Sequence, residues 1–367
     1  MKFSVFHPFP TYDLPRHGSW PAPPRVSRQP GVSSTSLRGA IDFAHAVEAA
    51  GLDQISVAEH HYSSAQLSPN SVTAAVLLAR EVGIDIGLLG STLPLVNPVR
   101  LAEEIGMLSA LAPGRLLVGF FRGTPNELLT YGTNPWESKE VFYEQMELMK
   151  AIWSEPEPFA WIGRHFEYRT VAVWPQPEAD LPILVSANSP DSATYAARNG
   201  YIAGFSFAPA PVIATFAEVF KAEAQKAGRT VAGEDMLYRA FALVAETDAE
   251  AERIADETGF GNLMKLFAAP APLMARLAMG MAGVPASVPL PTEPKGMSMP
   301  VRPNFMGGPE KVAREIADFI LLTGIERIEV TLTDAALPTE VSLRSLELYG
   351  REVLPRVRAL VGERVAA

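Results

Sequence analysis

Residues Gln54-Ile55-Ser56-Val57-Ala58-Glu59-His60-His61-Tyr62 run from an apolar segment directly into titratable side chains. The first five predict a strand that ends at Glu59. In a (β/α)8 barrel the carboxyl ends of the strands meet at the mouth that holds the active site. A histidine there is a candidate acid or base, although a histidine that only caps a strand is the commoner outcome. Polar features also follow the next three predicted strands, and this recurrence favours a functional histidine.

Strand and helix patterns alternate along the chain on both sides of this stretch. The predicted fold is therefore of the α/β class: a (β/α)8 TIM barrel that forms a single domain over residues 1–367. An open doubly wound sheet is the alternative, but no G-x-G-x-x-G follows any strand. The predicted strands are Phe3–His7, Gln54–Ala58, Ile84–Leu89, Arg115–Phe120, Ile183–Val185, Tyr201–Phe205, Leu237–Ala245 and Arg327–Leu332. The predicted helices are Ser36–Ala50, Pro69–Val82, Asn97–Leu111, Trp136–Trp153, Pro190–Asn199, Val212–Ala227, one starting near Asp248, Pro309–Leu322 and Pro338–Tyr349.

Two segments depart from this alternation. Phe159–Trp174 has a turn near Gly163 with aromatic residues on both arms, which predicts a β-hairpin excursion. Gly259–Pro303 follows the seventh strand and holds half of the chain's twelve methionines. Flexible methionine side chains adapt to irregular apolar shapes, so we expect this insertion to be a lid over the barrel mouth. A dimer contact and a fixed helical cover are the alternatives.

Composition excludes several classes of function. The 367 residues carry a formal charge of −10, which argues against nucleic acid or an anionic membrane as a partner. The chain has no cysteine, so it has no disulfide and no thiol nucleophile, and a cytoplasmic location is expected. The amino terminus predicts a first strand rather than a signal peptide, and no apolar stretch is long enough to span a bilayer.

Three further features could carry chemistry. Gly90, after Leu89, allows an unusual backbone conformation where a flat ligand could approach closely. The alternative is an ordinary glycine at the point where a strand passes into a loop. Arg122 follows the buried strand end at Phe121 and needs an anion beside it. That anion is either a group of a bound ligand or the carboxylate of a Glu or Asp in a structural ion pair. Ser189 precedes a proline at a helix start, which is a plain cap or a phosphate site. No spaced set of ligands accompanies the histidines, so no metal is predicted.

These stretches, in this order, resemble the bacterial luciferase-like flavin-dependent monooxygenases over most of the chain. The matching segments are Met1–Phe6, Gly51–Tyr62, Leu93-Pro94 followed by Asn97–Glu104, Gly114–Gly123, Ser186–Gly200 and Gly307–Glu310. The resemblance implies reduced FMN at the barrel mouth, with His60 near the flavin C4a. It also implies that Arg122, with Ser189 and Ser192, binds the phosphate.

The same resemblance implies a non-prolyl cis peptide at Leu89–Gly90 beneath the isoalloxazine ring. Phe121 stands near the ring, where some relatives carry a smaller residue. Asn188 replaces an acidic residue that bacterial luciferase carries at this cofactor contact.

The resemblance thus predicts the oxygenase component of a two-component monooxygenase. Reduced FMN from a separate flavin reductase would react with O2 to a C4a-(hydro)peroxyflavin, which oxygenates a small apolar organic substrate. We expect a homodimer. One alternative is a deazaflavin (F420)-dependent oxidoreductase on the same barrel, and another is a non-catalytic FMN-binding flavoprotein.

Overall fold

Eight parallel strands close into a barrel in the computed structural model, which describes residues 1–11, 24–63, 66–124, 127–128, 131–134, 137–262 and 302–366. Around the barrel the strand order is β1-β2-β3-β4-β7-β8-β9-β11, and β11 pairs again with β1. The predicted (β/α)8 barrel is therefore confirmed. The strands are β1 (Lys2–Phe6), β2 (Gln54–Val57), β3 (Asp85–Thr92), β4 (Leu116–Phe121), β5 (Phe159–Ile162), β6 (Glu167–Val171), β7 (Ile183–Ser186), β8 (Ile202–Ser206), β9 (Met236–Val244), β10 (Phe305–Gly307) and β11 (Arg327–Thr331).

Helices cover the outside of the barrel. Several begin with a side-chain cap: Asn70, Asn97 and Ser189 each accept a hydrogen bond from a backbone N–H in the first helical turn. The helices are Val32–Ala49, Ser71–Glu81, Pro98–Leu111, Ser138–Ser154, Pro190–Asn199, Ala210–Lys226, Asp248–Thr258, Pro309–Thr323, Thr339–Leu348 and Leu354–Ala366, with a short one at Pro24–Ser27.

Alternation along each strand sends one set of side chains outward to these helices and the other set into the barrel. Phe3 and Val5 of β1 lie in the outer core, for example, and so do Ile55 and Val57 of β2. The intervening residues point inward. A separate apolar cluster fills part of the interior; it consists of Leu89, Leu117, Leu184, Ile202 and Leu237, with Phe121 packed against it.

The hairpin prediction is also confirmed, because β5 and β6 pair antiparallel outside the barrel. The insertion lies after β9, the seventh strand of the barrel, as expected. Residues 263–301 of this insertion lie outside the described part of the chain, so the lid stays a prediction. The short strand β10, which follows the insertion and pairs with β9, was not predicted.

The carboxyl terminus differs from the prediction of one final helix. After Thr339–Leu348 the chain makes a π-helical turn, Tyr349–Val353, and then continues as the helix Leu354–Ala366. Pro355, which has no backbone N–H to donate, follows directly after this π turn, where the hydrogen-bond pattern of the continuous helix changes. In the described ranges, no helix combines the length and apolarity that a membrane crossing requires.

Candidate active site

His60 pairs with a carboxylate at the C-terminal end of the barrel. Its Nδ1 lies 2.8 Å from Oε1 of Glu127, in the segment that follows β4. The imidazole is 24% exposed, whereas the Glu127 side chain is 3% exposed. The histidine therefore reaches solvent at the mouth while its partner is held below the surface.

Thr124 holds the same carboxylate from the other side. Its backbone N–H and its hydroxyl donate to Oε2 of Glu127 at 3.1 and 2.6 Å. Burial raises the pKa of Glu127, but the hydrogen bond and charge of His60 and the bonds from Thr124 lower it more, to about 2 from 4.5. Glu127 is thus ionised at neutral pH and can only accept. His60 Nδ1 is therefore the donor, and Nε2 is the ring atom that can exchange a proton with a ligand.

His61 points to a different set of partners, as expected for adjacent residues at a strand end. It is buried, and its Nδ1 lies 3.1 Å from the hydroxyl of Tyr131. Glu59 accepts from the backbone N–H of Thr92 at 2.9 Å and so joins the ends of β2 and β3. The two histidines therefore hold the segment after β4 at two points, Glu127 and Tyr131.

Leu89 and Gly90 lie beside the histidine segment, but their peptide bond is not cis. The one cis peptide bond among the described residues joins Trp174 and Pro175, so the cis prediction was wrong. Gly90 instead forms a bulge in β3 with φ of +153°, a conformation that glycine adopts without a cis bond. A Cβ at Gly90 would lie 2.3 Å from Cβ of Ala58, so the glycine lets β3 approach the residue just before Glu59.

Phe121 and Arg122 leave the barrel from β4. Phe121 packs on the apolar cluster inside the barrel. Arg122 is exposed, and neither a hydrogen bond nor an ion pair joins it to any described residue. The structural ion pair that was the alternative for Arg122 is therefore not formed within the described ranges.

The helix Pro190–Asn199 follows β7, which pairs with β4, the strand that ends just before Arg122. Ser189 accepts from the Ser192 N–H at 3.2 Å, and Ser192 Oγ accepts from the Ser189 N–H at 3.1 Å, which makes a reciprocal capping box. Asn188 bonds both the N–H and the hydroxyl of Ser206 at 2.8 Å and so joins β7 to β8. Cofactor contacts of these three residues stay predictions.

Tertiary structure thus gathers every predicted site residue at the same end of the barrel. Sequence reasoning missed Glu127, although Thr124-x-x-Glu127 has the spacing of a capping box and could have indicated it. Within the described ranges, no group of three histidine or acidic residues is placed to hold a metal ion.

Comparison with known proteins gives partial matches to two kinds of enzyme. The chain is 31% identical over 172 residues to the F420-dependent glucose-6-phosphate dehydrogenase of Kineococcus radiotolerans, covering 44% of this chain and 50% of that protein. It is 29% identical over 157 residues to the alkanal monooxygenase alpha chain of Photorhabdus luminescens, covering 42% of this chain and 43% of that protein. These alignments span about half the length of such relatives.

Solved structures share the fold over nearly the whole chain. One is the oxygenating constituent of 3,6-diketocamphane monooxygenase from Pseudomonas putida in complex with FMN. It has a TM-score of 0.73 at 22% identity, covering 97% of this chain and 99% of that one. The model of the family described as luciferase-like monooxygenase matches residues 1–320. That match covers most of the sequence, confirms the predicted resemblance and shows that this chain belongs to the luciferase-like monooxygenase family.

Proposed function

We propose that the chain is the oxygenase component of a two-component flavin-dependent monooxygenase that uses reduced FMN and O2. The observation that carries this proposal is the 2.8 Å hydrogen bond between His60 and the buried Glu127 at the barrel mouth. An oriented, partly exposed imidazole beside an ionised carboxylate is an acid–base pair. A protein that only binds flavin has no need of such a pair, which argues against the non-catalytic alternative.

The residues near Arg122 fit the phosphate of FMN. Arg122 is an exposed cation without a partner among the described residues, and it follows β4, whose neighbour β7 leads into the helix Pro190–Asn199. Guanidinium and helix N–H groups are the donors that phosphate prefers. Asp191 lies in the first turn of the helix Pro190–Asn199, and its negative charge would repel an anion there. Nζ of Lys139 lies 3.8 Å from Oδ2 of Asp191 and offsets that charge.

The chain's own residues would transfer protons and would keep water away from the reaction. Reduced FMN, when bound, supplies the electrons that activate O2. Glu127 would keep His60 in the tautomer whose Nε2 serves the ligand side, so that one imidazole can deliver or remove a proton there. The apolar wall around Leu89 and Phe121 would exclude water from the reaction.

The reduced flavin would come from a separate reductase, because no nicotinamide-binding fingerprint is present. The name of the FMN-bound structural relative, an oxygenating constituent, supports this division of labour. The substrate would be a small organic molecule with an apolar body. The homodimer and the cytoplasmic location stay predictions.

An F420-dependent oxidoreductase is the second candidate. The observation in its favour is the 31% identity to an F420-dependent glucose-6-phosphate dehydrogenase. His60 would then manage the proton that accompanies hydride transfer.

Anaerobic titration separates the two candidates. We expect the purified protein to bind reduced FMN more tightly than reduced F420. Rapid mixing of the FMN complex with oxygenated buffer should then give a transient spectrum that free reduced FMN does not show. A preference for F420, together with oxidation of FMN at the rate of free flavin, would reject the monooxygenase.

A further inference from the structure

The interior of the barrel has one polar wall. Four neighbouring strands, β9, β11, β1 and β2, carry an inward polar residue at positions that pair in register: Arg239, Glu329, Ser4 and Gln54. Their neighbours along each strand, such as Ala240, Val330, Val5 and Ile55, pack in the outer core. The other four strands of the barrel, β3, β4, β7 and β8, carry Leu89, Leu117, Leu184 and Ile202 of the apolar cluster. The space above these walls is therefore amphipathic.

Arg239 directs its guanidinium toward the mouth. Its Nε donates to Oε2 of Glu329 at 2.5 Å, and its guanidinium carbon lies 4.0 Å from the centre of the Phe6 ring. Phe6 is the next inward residue after Ser4 toward the carboxyl end of β1. The guanidinium therefore lies on the mouth side of Ser4 and Glu329. The Arg239 side chain is 15% exposed and that of Glu329 is 0% exposed. Only the arginine can therefore meet a ligand.

The outer half of this guanidinium has no hydrogen-bond partner among the residues that the structure describes. Nη1 and Nη2 of Arg239 reach no hydrogen-bond acceptor within the described ranges. Unpaired N–H groups in a partly dry site are costly, and the two terminal nitrogens of arginine form a planar fork that matches two oxygens of one carboxylate. Glu329 and the Phe6 ring hold the fork in one orientation before any ligand arrives.

We propose that Arg239 binds the carboxylate of the substrate, and that Glu329 is the positioning residue that aims it. The substrate class is an organic acid whose apolar body lies against the cluster around Leu89. This inference rests on the proposed function, because it assigns the substrate end of the same mouth. The FMN phosphate has its own cation in Arg122, and β7 and β8 separate the strands that carry the two arginines.

Flavin-free protein is sufficient for the test. Calorimetric titration compares benzoate and octanoate with their neutral amides, benzamide and octanamide. We expect each carboxylate to bind about 10- to 100-fold more tightly than its amide, as a charge-assisted bidentate contact predicts. Arg239→Lys keeps the charge without the fork and should lose most of this selectivity. Glu329→Gln should weaken carboxylate binding several-fold while the selectivity over the amide persists.

Removing the arginine alone would leave Glu329 buried and unpaired, which threatens folding. The double variant Arg239→Met with Glu329→Gln removes both charges, and we expect it to bind acid and amide equally. Arg122→Met is the matched control, because it should weaken FMN binding and keep the carboxylate selectivity.

Two results would overturn the assignment. One is equal or undetectable affinity of the unaltered protein for acids and amides. The other is a selectivity that survives in the double variant. Titration with reduced FMN in the same preparations keeps the two proposals apart. Absence of carboxylate selectivity in the unaltered protein, with normal FMN binding, rejects only the role of Arg239, whereas absence of FMN binding rejects the proposed function.

Discussion

Replacing Glu127 by glutamine tests the central pair of the candidate site. The substitution keeps the size of the side chain and one carbonyl acceptor but removes the negative charge beside His60. The fold lowers the pKa of Glu127 from 4.5 to about 2. A depressed pKa stabilises the fold above the ordinary value of the group, and this stability is lost as pH falls from about 4.5 toward 2.

The magnitude follows from the two pKa values. A fall from 4.5 to about 2 corresponds to about 3 kcal/mol of unfolding free energy at pH 7. By linkage, about half of that contribution remains at pH 3. Glu127→Gln should therefore lower the stability by up to about 3 kcal/mol at pH 7, and the difference from the unaltered protein should shrink steadily as the buffer is acidified.

Urea unfolding followed by tryptophan fluorescence at pH 7, 5, 4 and 3 measures these differences. Glu252→Gln is the matched control, because Glu252 is exposed on the helix Asp248–Thr258 and has no partner among the described residues. We expect its effect to be within about 0.5 kcal/mol at every pH. A Glu127→Gln cost below about 1 kcal/mol at pH 7, or a cost that does not change with pH, would refute the reasoning.

Three further outcomes follow from the site. His60→Gln should lower turnover about 10²- to 10⁴-fold with little change in reduced-FMN affinity. Steady-state kinetics at equal FMN saturation measure this, and a turnover equal to that of the unaltered protein would contradict it. Arg122→Ala should weaken FMN far more than riboflavin, which lacks the phosphate; equal losses in a fluorescence titration argue against the phosphate contact. Gly90→Ala would place a Cβ 2.3 Å from Ala58 and should cost about 3 kcal/mol or more by thermal unfolding. Its control, Gly114→Ala, has positive φ but open space and should cost only about 1 kcal/mol, so similar losses for both would count against the close approach.

Local sequence patterns were sufficient to predict the barrel. The helix Pro190–Asn199 was predicted with its observed bounds, because a Ser-Pro start and Gly200 at the end are signals within the helix itself. The inward and outward faces of β2 follow from the same alternation that marks it as a strand. His60 could be identified because its importance comes from its position at a strand end, and that position is visible in the order of residues.

Contacts between distant parts of the chain were decided only by tertiary structure. Glu127 meets His60 because β2 and β4 both pair with β3, which brings the segment after β4 to the end of β2. Arg239 and Glu329 pair because β9 and β11 lie in register. The bulge at Gly90 forms because the register between β3 and β4 shifts there. None of these follows from periodicity, since hydrophobic spacing specifies which face of a strand is buried but not which residues of separate strands lie side by side.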